Sequence, residues 1–253
     1  MARYFIKLSY DGSNYHGWQI QANANTVQAE INKALSSVIG QRITCTGCGR
    51  TDTGVHAAEF YAHFDTKYVP HSSDLIYKIN GCLPGDIAVH KLYPVGDQAN
   101  SRFDAISRSY KYRIIMRKNV FSQSYSYYHY KQVDLSAMNS CSSLLLEHTD
   151  FSCFSKSKTQ TKTNSCYITE AKWTANDQEL EFRITANRFL RGMVRAIVGT
   201  MLDVGEGKIS QEDFVKTLES MDRTQAGYSV PARGLFLDKV SYPDGYLKEE
   251  DKR

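Results

Sequence analysis

No stretch of this 253-residue chain is apolar over the roughly 20 residues that a membrane-spanning helix requires. Met1 to Asp11 alternates apolar and polar residues, so it reads as neither a signal peptide nor a membrane anchor. Cysteine is well below the level of a disulfide-built chain as well. The six residues Cys45, Cys48, Cys82, Cys141, Cys153 and Cys166 make no disulfide framework in a chain of this size. These shortages point to a reducing, cytoplasmic setting. Surplus charge is also small: 31 Lys+Arg against 27 Asp+Glu leaves +4, which permits a nucleic-acid partner without demanding one. What remains is the balance of a globular enzyme, 42% hydrophobic and 23% charged, long enough for one large domain or two smaller ones. The 17 tyrosines could stack on bases, but packing between strands accounts for most of them.

Element signals alternate along the chain. Tyr4, Ile6, Leu8 and Tyr10 alternate with polar residues and predict a half-buried opening strand. Asn25 as a cap, Gln28 three residues on, and the stripe Val27, Ile31, Leu35, Val38 predict a helix that Gly40 stops. Ala58 to Phe64 and Ile87 to Val95 read as strands, with a helix from Ser73 to Gly81 between them. The second half repeats this grammar. A strand carries Tyr110, Tyr112, Ile114 and Met116 on one face, and Asp134 caps a helix through Met138, Leu144 and Leu145. Strands follow at Tyr167 to Trp173 and Leu180 to Ala186. Leu190, Met193, Val194, Ile197, Val198, Met201 and Leu202 then mark a strongly apolar helix ended by Gly205, with Arg188, Arg191 and Arg195 as a basic stripe on its other face. Ser210 with Asp213 forms a capping box for a helix to about Met221, and Gly234 to Val240 is the last strand. Strand clusters interrupted by helices predict an α+β fold of two similar halves meeting near residues 96 to 106. Ser155 to Ser165 reads as a flexible loop by composition.

One stretch is unusual: Gly47-Cys48-Gly49-Arg50-Thr51-Asp52-Thr53-Gly54-Val55-His56-Ala57. Glycines let backbone approach a ligand closely, and Arg50 and Asp52, two apart, could present a cation and a nucleophile to the same ligand; a surface turn with an incidental ion pair is the alternative. The glycine spacing fits neither a dinucleotide fingerprint nor a P-loop. Cys45 and Cys48 with His56 and His63 are too closely spaced for a zinc finger. Asp52-Thr53-Gly54 spells an aspartic-protease triplet, but that chemistry needs two carboxylates and no second copy exists.

Gly49 to Ala57 resembles the GRTDAGVHA signature of the TruA family of tRNA pseudouridine synthases. The resemblance continues in order along nearly the whole chain. Arg102-Phe103-Asp104-Ala105 with Arg108-Ser109-Tyr110-Lys111-Tyr112 is similar to the family's RF-A…R-Y-Y strand. Asp150-Phe151-Ser152-Cys153-Phe154 is similar to DFTSF. Phe189 to Gly199 is similar to F-x-x-x-MVRxIVG, and Gly234-Leu235-Phe236-Leu237 to GLYL. Thr53 and Cys48 depart from the family pattern, as do Arg191 and Gly192, all beside rather than at the key positions.

The resemblance implies isomerisation of uridine to pseudouridine at positions 38, 39 and/or 40 of the tRNA anticodon stem-loop. It implies a two-lobed α+β fold with RNA-recognition-like antiparallel sheets flanked by helices. Residues 1–104 would carry the catalytic loop, and residues 105–253 the MVRAIVG helix and GLFL strand. Asp52 would be the nucleophile. Arg195 would be the cation that keeps Asp52 ionised beneath a bound base, or else an ordinary helix-surface residue. Tyr110 would stack on the target base, with strand packing as its alternative and Tyr112 as the substitute if the register is shifted. Leu235 would line the base's other side or simply pack in the core. Arg50 would hold the place of the extruded nucleotide. No cofactor and no metal are implied. The implied partners are tRNA, through its shape and phosphates, and a second subunit of a cytoplasmic homodimer, with no membrane and no DNA.

Overall fold

A computed structural model describes residues 1–67, 72–156 and 163–248. The predicted loop 155–165 therefore lies largely outside the described residues. The fold is α+β, with nine strands and five α-helices among the described residues, in two compact units.

The first unit comprises residues up to Ile106 and the described residues from Leu237 onward. Its elements are β1 (Ala2–Tyr10), α1 (Val27–Ile39), β2 (Thr46–Gly47), β3 (His56–Thr66), α2 (Ser72–Cys82) and β4 (Ile87–Val95). The long strands form an antiparallel sheet in the order β4-β1-β3, with Tyr4 opposite Phe64 on one side of β1 and opposite Pro94 on the other. The alternating residues of β1 are buried as predicted, yet Phe5 on the opposite face is buried too. Tyr242 and Tyr246 cover it with ring centroids 5.6 and 6.0 Å away, so the second face of β1 is closed at Phe5 while Arg3, Lys7 and Ser9 on that face stay partly exposed.

Helix α1 runs where its apolar stripe predicts. Gly40 ends it at φ 72°, a left-handed conformation that glycine adopts without strain. Its start differs from the prediction. The N-cap is Thr26, with no side-chain capping bond, while the Asn25 amide donates to the Asn14 carbonyl. Gln28 is buried: its Oε1 accepts from the Ile20 backbone and its amide donates to the Cys45 carbonyl. A tertiary role has displaced the capping box that local spacing suggested.

The second unit, Ser107–Phe236, is built from β5 (Ser107–Ile115), β6 (Tyr127–Tyr128), α3 (Leu135–Leu145), β7 (Ile168–Ala175), β8 (Glu179–Ala186), α4 (Met193–Gly205) and α5 (Gln211–Ser220). Its antiparallel order is β5-β8-β7, with β6 parallel to β5. Leu180, Phe182, Ile184 and Ala186 alternate inward along β8. Trp173 of β7 lies 4.9 Å from Phe182 and donates its indole N–H to the sulfur of Met201 on α4. Asp134 caps α3 through the amides of Ser136 and Ala137, and the Ser210–Asp213 capping box opens α5. One reading is overturned here. Helix α4 starts after Gly192, so Arg188, Arg191 and Leu190 precede it and no three-arginine stripe exists on that helix. The left-handed Gly192, at φ 75°, turns the chain before the first helical residue.

The last strand, β9 (Leu235–Ser241), begins in the second unit and ends in the first. The sequence reading placed the whole C-terminal segment with the second lobe. Instead, Val240 donates its amide to Glu59 of β3, and the Tyr242 hydroxyl donates to the Ser101 carbonyl.

Candidate active site

The stretch that stood out in the sequence is a short strand and a turn leading into β3, held in place by a second loop. Gly47 lies beneath Trp18, whose indole would be displaced by any Cβ at that position, and Trp18 stacks on Phe60 of β3 at 4.1 Å. The Cys48 amide donates to the Tyr61 carbonyl at 2.7 Å. Thr51 is buried, and its Oγ1 pairs with the Tyr10 hydroxyl at 2.9 Å at the end of β1. Asp52 follows, half-buried, and its carbonyl accepts from the Val55 amide at 3.2 Å to close a turn through Gly54 at φ 75°. Arg50 is exposed.

The second loop, Asp11 to Trp18, leaves β1 and lies against this turn. Trp18 donates its amide to the Thr51 carbonyl, and Gly54 donates to the Tyr15 carbonyl. The Gly12 amide donates to Nδ1 of the fully buried His56 at 3.1 Å, and that nitrogen lies 3.0 Å from Oδ1 of Asp11. Tyr15 anchors the loop by donating its hydroxyl to Asp86 at 2.6 Å; burial and this carboxylate raise its pKa well above the usual phenol range. Two positions in the loop admit only glycine. A Cβ on Gly12 would overlap the Val55 carbonyl oxygen. A Cβ on Gly17, which sits at φ 88°, would overlap the Thr51 carbonyl oxygen. Two backbone segments thus touch on either side of Asp52, which fixes where its carboxylate starts from.

Gly12, Tyr15, Gly17 and Trp18 are the residues that sequence reasoning missed, while Tyr10 was read only as a strand residue and His56 only within the signature and as a rejected zinc ligand. The usable signal was the pair Gly12 and Gly17, interleaved with large aromatics directly after a strand, which marks close backbone approach. Cys45 and Cys48 are buried thiols, and burial pushes Cys45 up to about 12. Among the described residues no group of three or more His, Cys, Asp or Glu is placed to hold a metal ion.

In the second unit Tyr110 lies on β5 opposite Ile184 of β8, half-buried, with Phe189 edge-on to its ring at 5.0 Å. Tyr112 is fully buried, and its hydroxyl donates to the Pro231 carbonyl at 2.8 Å. Burial drives its pKa far above the phenol range, so it is held as the neutral phenol. Arg195 sits in the first turn of α4. Its Nε donates to the Val230 carbonyl at 2.6 Å and its own carbonyl accepts from the Val230 amide, a two-way tie that fixes the root of the guanidinium. Leu235 is 6% exposed, directly after the 3₁₀ turn Ala232–Gly234. Phe151 and Phe154 are fully buried, so the DFSCF segment serves the core.

A family model described as tRNA pseudouridine synthase matches residues 7–104 and 144–243. The chain is 46% identical over 256 residues to tRNA pseudouridine synthase A of Bacteroides thetaiotaomicron, spanning 100% of this chain and 95% of that one. It is 45% identical to the protein of that name from Parabacteroides distasonis, over 99% of this chain and 100% of the relative. It is 37% identical to the one from Clostridium acetobutylicum, over 94% and 98%.

Proposed function

Because the chain belongs to the TruA family of tRNA pseudouridine synthases, isomerases that act on uridine in tRNA, we propose that its target is uridine at positions 38, 39 and/or 40 of the anticodon stem-loop and that Asp52 is the nucleophile. The observation that carries this reading is the clamped turn. Asp52 is the one carboxylate in the signature stretch, and hydrogen bonds flank it on both sides, from Trp18 to Thr51 and from Gly54 to Tyr15.

The reaction breaks the C1′–N1 glycosidic bond, rotates the uracil, forms C1′–C5, removes the C5 proton and leaves N1 carrying a proton in its place. The product has the same atoms as the substrate, so no oxidant, donor or cofactor enters. An ionised carboxylate suits the first step because it can form a covalent adduct and later leave it. Arg195 is the cation proposed to favour the ionised form of Asp52; its anchored Nε supports a positioning role, since a guanidinium fixed at its root loses little freedom when its far end engages a ligand. Tyr110 is the residue proposed to stack on the base. The burial of Tyr112, with its hydroxyl already committed, supports Tyr110 over Tyr112. Leu235 is assigned to the apolar lining and Arg50 to the place vacated by the extruded nucleotide, whose unstacking costs a few kcal/mol. The exposure of Arg50 supports that role. The working form is proposed to be a cytoplasmic homodimer that binds neither DNA nor membrane. Among the described residues no helix is long and apolar enough to cross a membrane.

Carbodiimide mapping of tRNA treated with the wild-type chain and with Asp52→Ala tests the reading. Marks just 3′ of the anticodon with wild type and none with the variant are expected. If neither marks the tRNA while both bind it, the chain is a binding protein and the nucleophile assignment is wrong.

A further inference from the structure

The first unit presents an aromatic side chain to solvent from a loop that is otherwise closely tied down. Phe103 is 76% exposed, and the guanidinium of exposed Arg102 lies over its ring at 5.6 Å. An exposed phenylalanine on a mobile turn would mean little. This turn is built. The Asn100 side-chain oxygen accepts from the amides of both Arg102 and Phe103, at 3.0 and 3.2 Å. Asp104 accepts from the Asn100 amide at 2.7 Å and from the Tyr246 hydroxyl. Ser101, fully buried between them, donates its hydroxyl to the Thr46 carbonyl at 2.8 Å, and its amide donates to Nδ1 of His63 at 3.1 Å. Thr46 begins the β2 strand that leads into the Asp52 turn. The Arg102–Phe103 pair is therefore fixed to the frame that holds the catalytic turn.

We propose that Arg102 and Phe103 form a stacking platform for an unpaired nucleobase of the tRNA substrate, separate from the residue that performs the chemistry and serving affinity rather than turnover. The proposal rests on the tRNA reading given above. An aromatic face accepts any base. The neighbouring guanidinium supplies a second flat cationic surface that can stack or meet a phosphate. Specific RNA contacts are made at such unstacked bases, because the grooves of A-form helices leave little for side chains to read. Rigidity is the physical point: a platform ordered before binding loses little conformational entropy when a base settles on it.

The experiment measures initial rates of pseudouridine formation on a tRNA transcript with uridine at positions 38, 39 and 40, using wild type, Phe103→Ala, Phe103→Trp and Arg102→Gln. Phe103→Ala is expected to raise KM about 5- to 100-fold and to leave kcat within about twofold, the range spanned by loss of one base stack. Phe103→Trp should restore the wild-type KM. Arg102→Gln should lower the slope of log affinity against log salt by close to one phosphate contact, which Phe103→Ala leaves unchanged. The unfolding temperature should not move in Phe103→Ala, since the ring is solvent-exposed. An unchanged KM in Phe103→Ala, a fall in kcat alone, or conversion of a dimer to monomers in sedimentation velocity would each overturn the platform; the last would assign the ring to a second copy of this chain. Inactivity of the wild type would instead sink the tRNA reading on which the platform rests.

Discussion

Replacing Gly17 by alanine tests whether the two-loop clamp sets the position of Asp52. Two separate costs arise. At φ 88° an alanine is in the left-handed region, at about 1–2 kcal/mol. Its Cβ would also fall well under 3.0 Å from the Thr51 carbonyl oxygen, a backbone atom that cannot rotate away. That carbonyl must retreat by roughly 1 Å, which breaks the bond from the Trp18 amide at about 0.5–1.5 kcal/mol. The total, about 1.5–3.5 kcal/mol, is less than the 5–15 kcal/mol typical of a folded domain, so the protein folds. Thr51 is the residue before Asp52, and a shift of about 1 Å in a reacting group costs around 10²-fold in rate. Gly40→Ala is the matched control. Its φ of 72° carries the same backbone cost, nothing lies within 4 Å of the added Cβ, and the position caps α1. Urea unfolding with single-turnover pseudouridine formation reads both effects. Gly17→Ala should be less stable than Gly40→Ala by about 0.5–1.5 kcal/mol and slower by about 10²-fold, while Gly40→Ala turns over like wild type. Equal stability of the two variants together with equal rates would refute the clamp.

Thr51→Val removes the partner of the buried Tyr10 hydroxyl and should cost about 1–3 kcal/mol in urea unfolding; Tyr10→Phe in the same chain should return much of it, and additive losses would show that the pair does not interact. Arg195→Lys discards the fork held by the Val230 carbonyl, so kcat should fall about 10- to 100-fold with a stability change below about 1.5 kcal/mol; an unaltered kcat would remove Arg195 from the site. Burial holds the His63 and His129 imidazoles below the ordinary histidine value, reinforced by Arg3 beside His63 and by Lys131 and Lys208 near His129 and opposed at His129 by Glu206. The unfolded chain then binds more protons just below pH 6.5 or so, so stability is full above that pH and is lost as pH falls towards the folded values. Unfolding midpoints from about pH 8 to pH 5 should decline only in the lower part of that range, less steeply in His63→Asn, and a midpoint that rises on acidification would contradict the assignment.

Features decided by neighbours in sequence were legible from the start. The periodic stripe of α1 with Gly40 after it, the Asp134 cap and the Ser210–Asp213 box all close within one helical turn, and each stands where the spacing placed it. Features decided by distant partners were not. Asn25 and Gln28 have the right types for a capping box, yet Gln28 is drawn to Cys45 and Ile20, and Thr26 takes the cap. Arg188 and Arg191 continue the helical period of Arg195 on paper, but the left-handed Gly192 breaks the helix between them. At the site, the signature stretch announced itself by composition. The loop that clamps it is some forty residues earlier, and its role lies in backbone contacts between Gly12 and Val55 and between Gly17 and Thr51, which no local pattern encodes. The exposure of Phe103 was equally invisible, because a phenylalanine after an arginine reads as core until its surroundings are known.

The path of β9 also bears on how the protein comes into being. The second unit is continuous in sequence, whereas the first is begun by the opening residues and completed only by those after Phe236. A ribosome makes about 5–20 residues per second, so the nascent first unit waits on the order of ten seconds while the second is synthesised. Until then Glu59 has no Val240 amide to accept from, and Phe5 lacks the cover of Tyr242 and Tyr246. The half that carries the Asp52 turn is thus started first and finished last, and a premature stop just after Phe236 removes the partners of Glu59 and Phe5 while leaving every residue of the second unit in the chain.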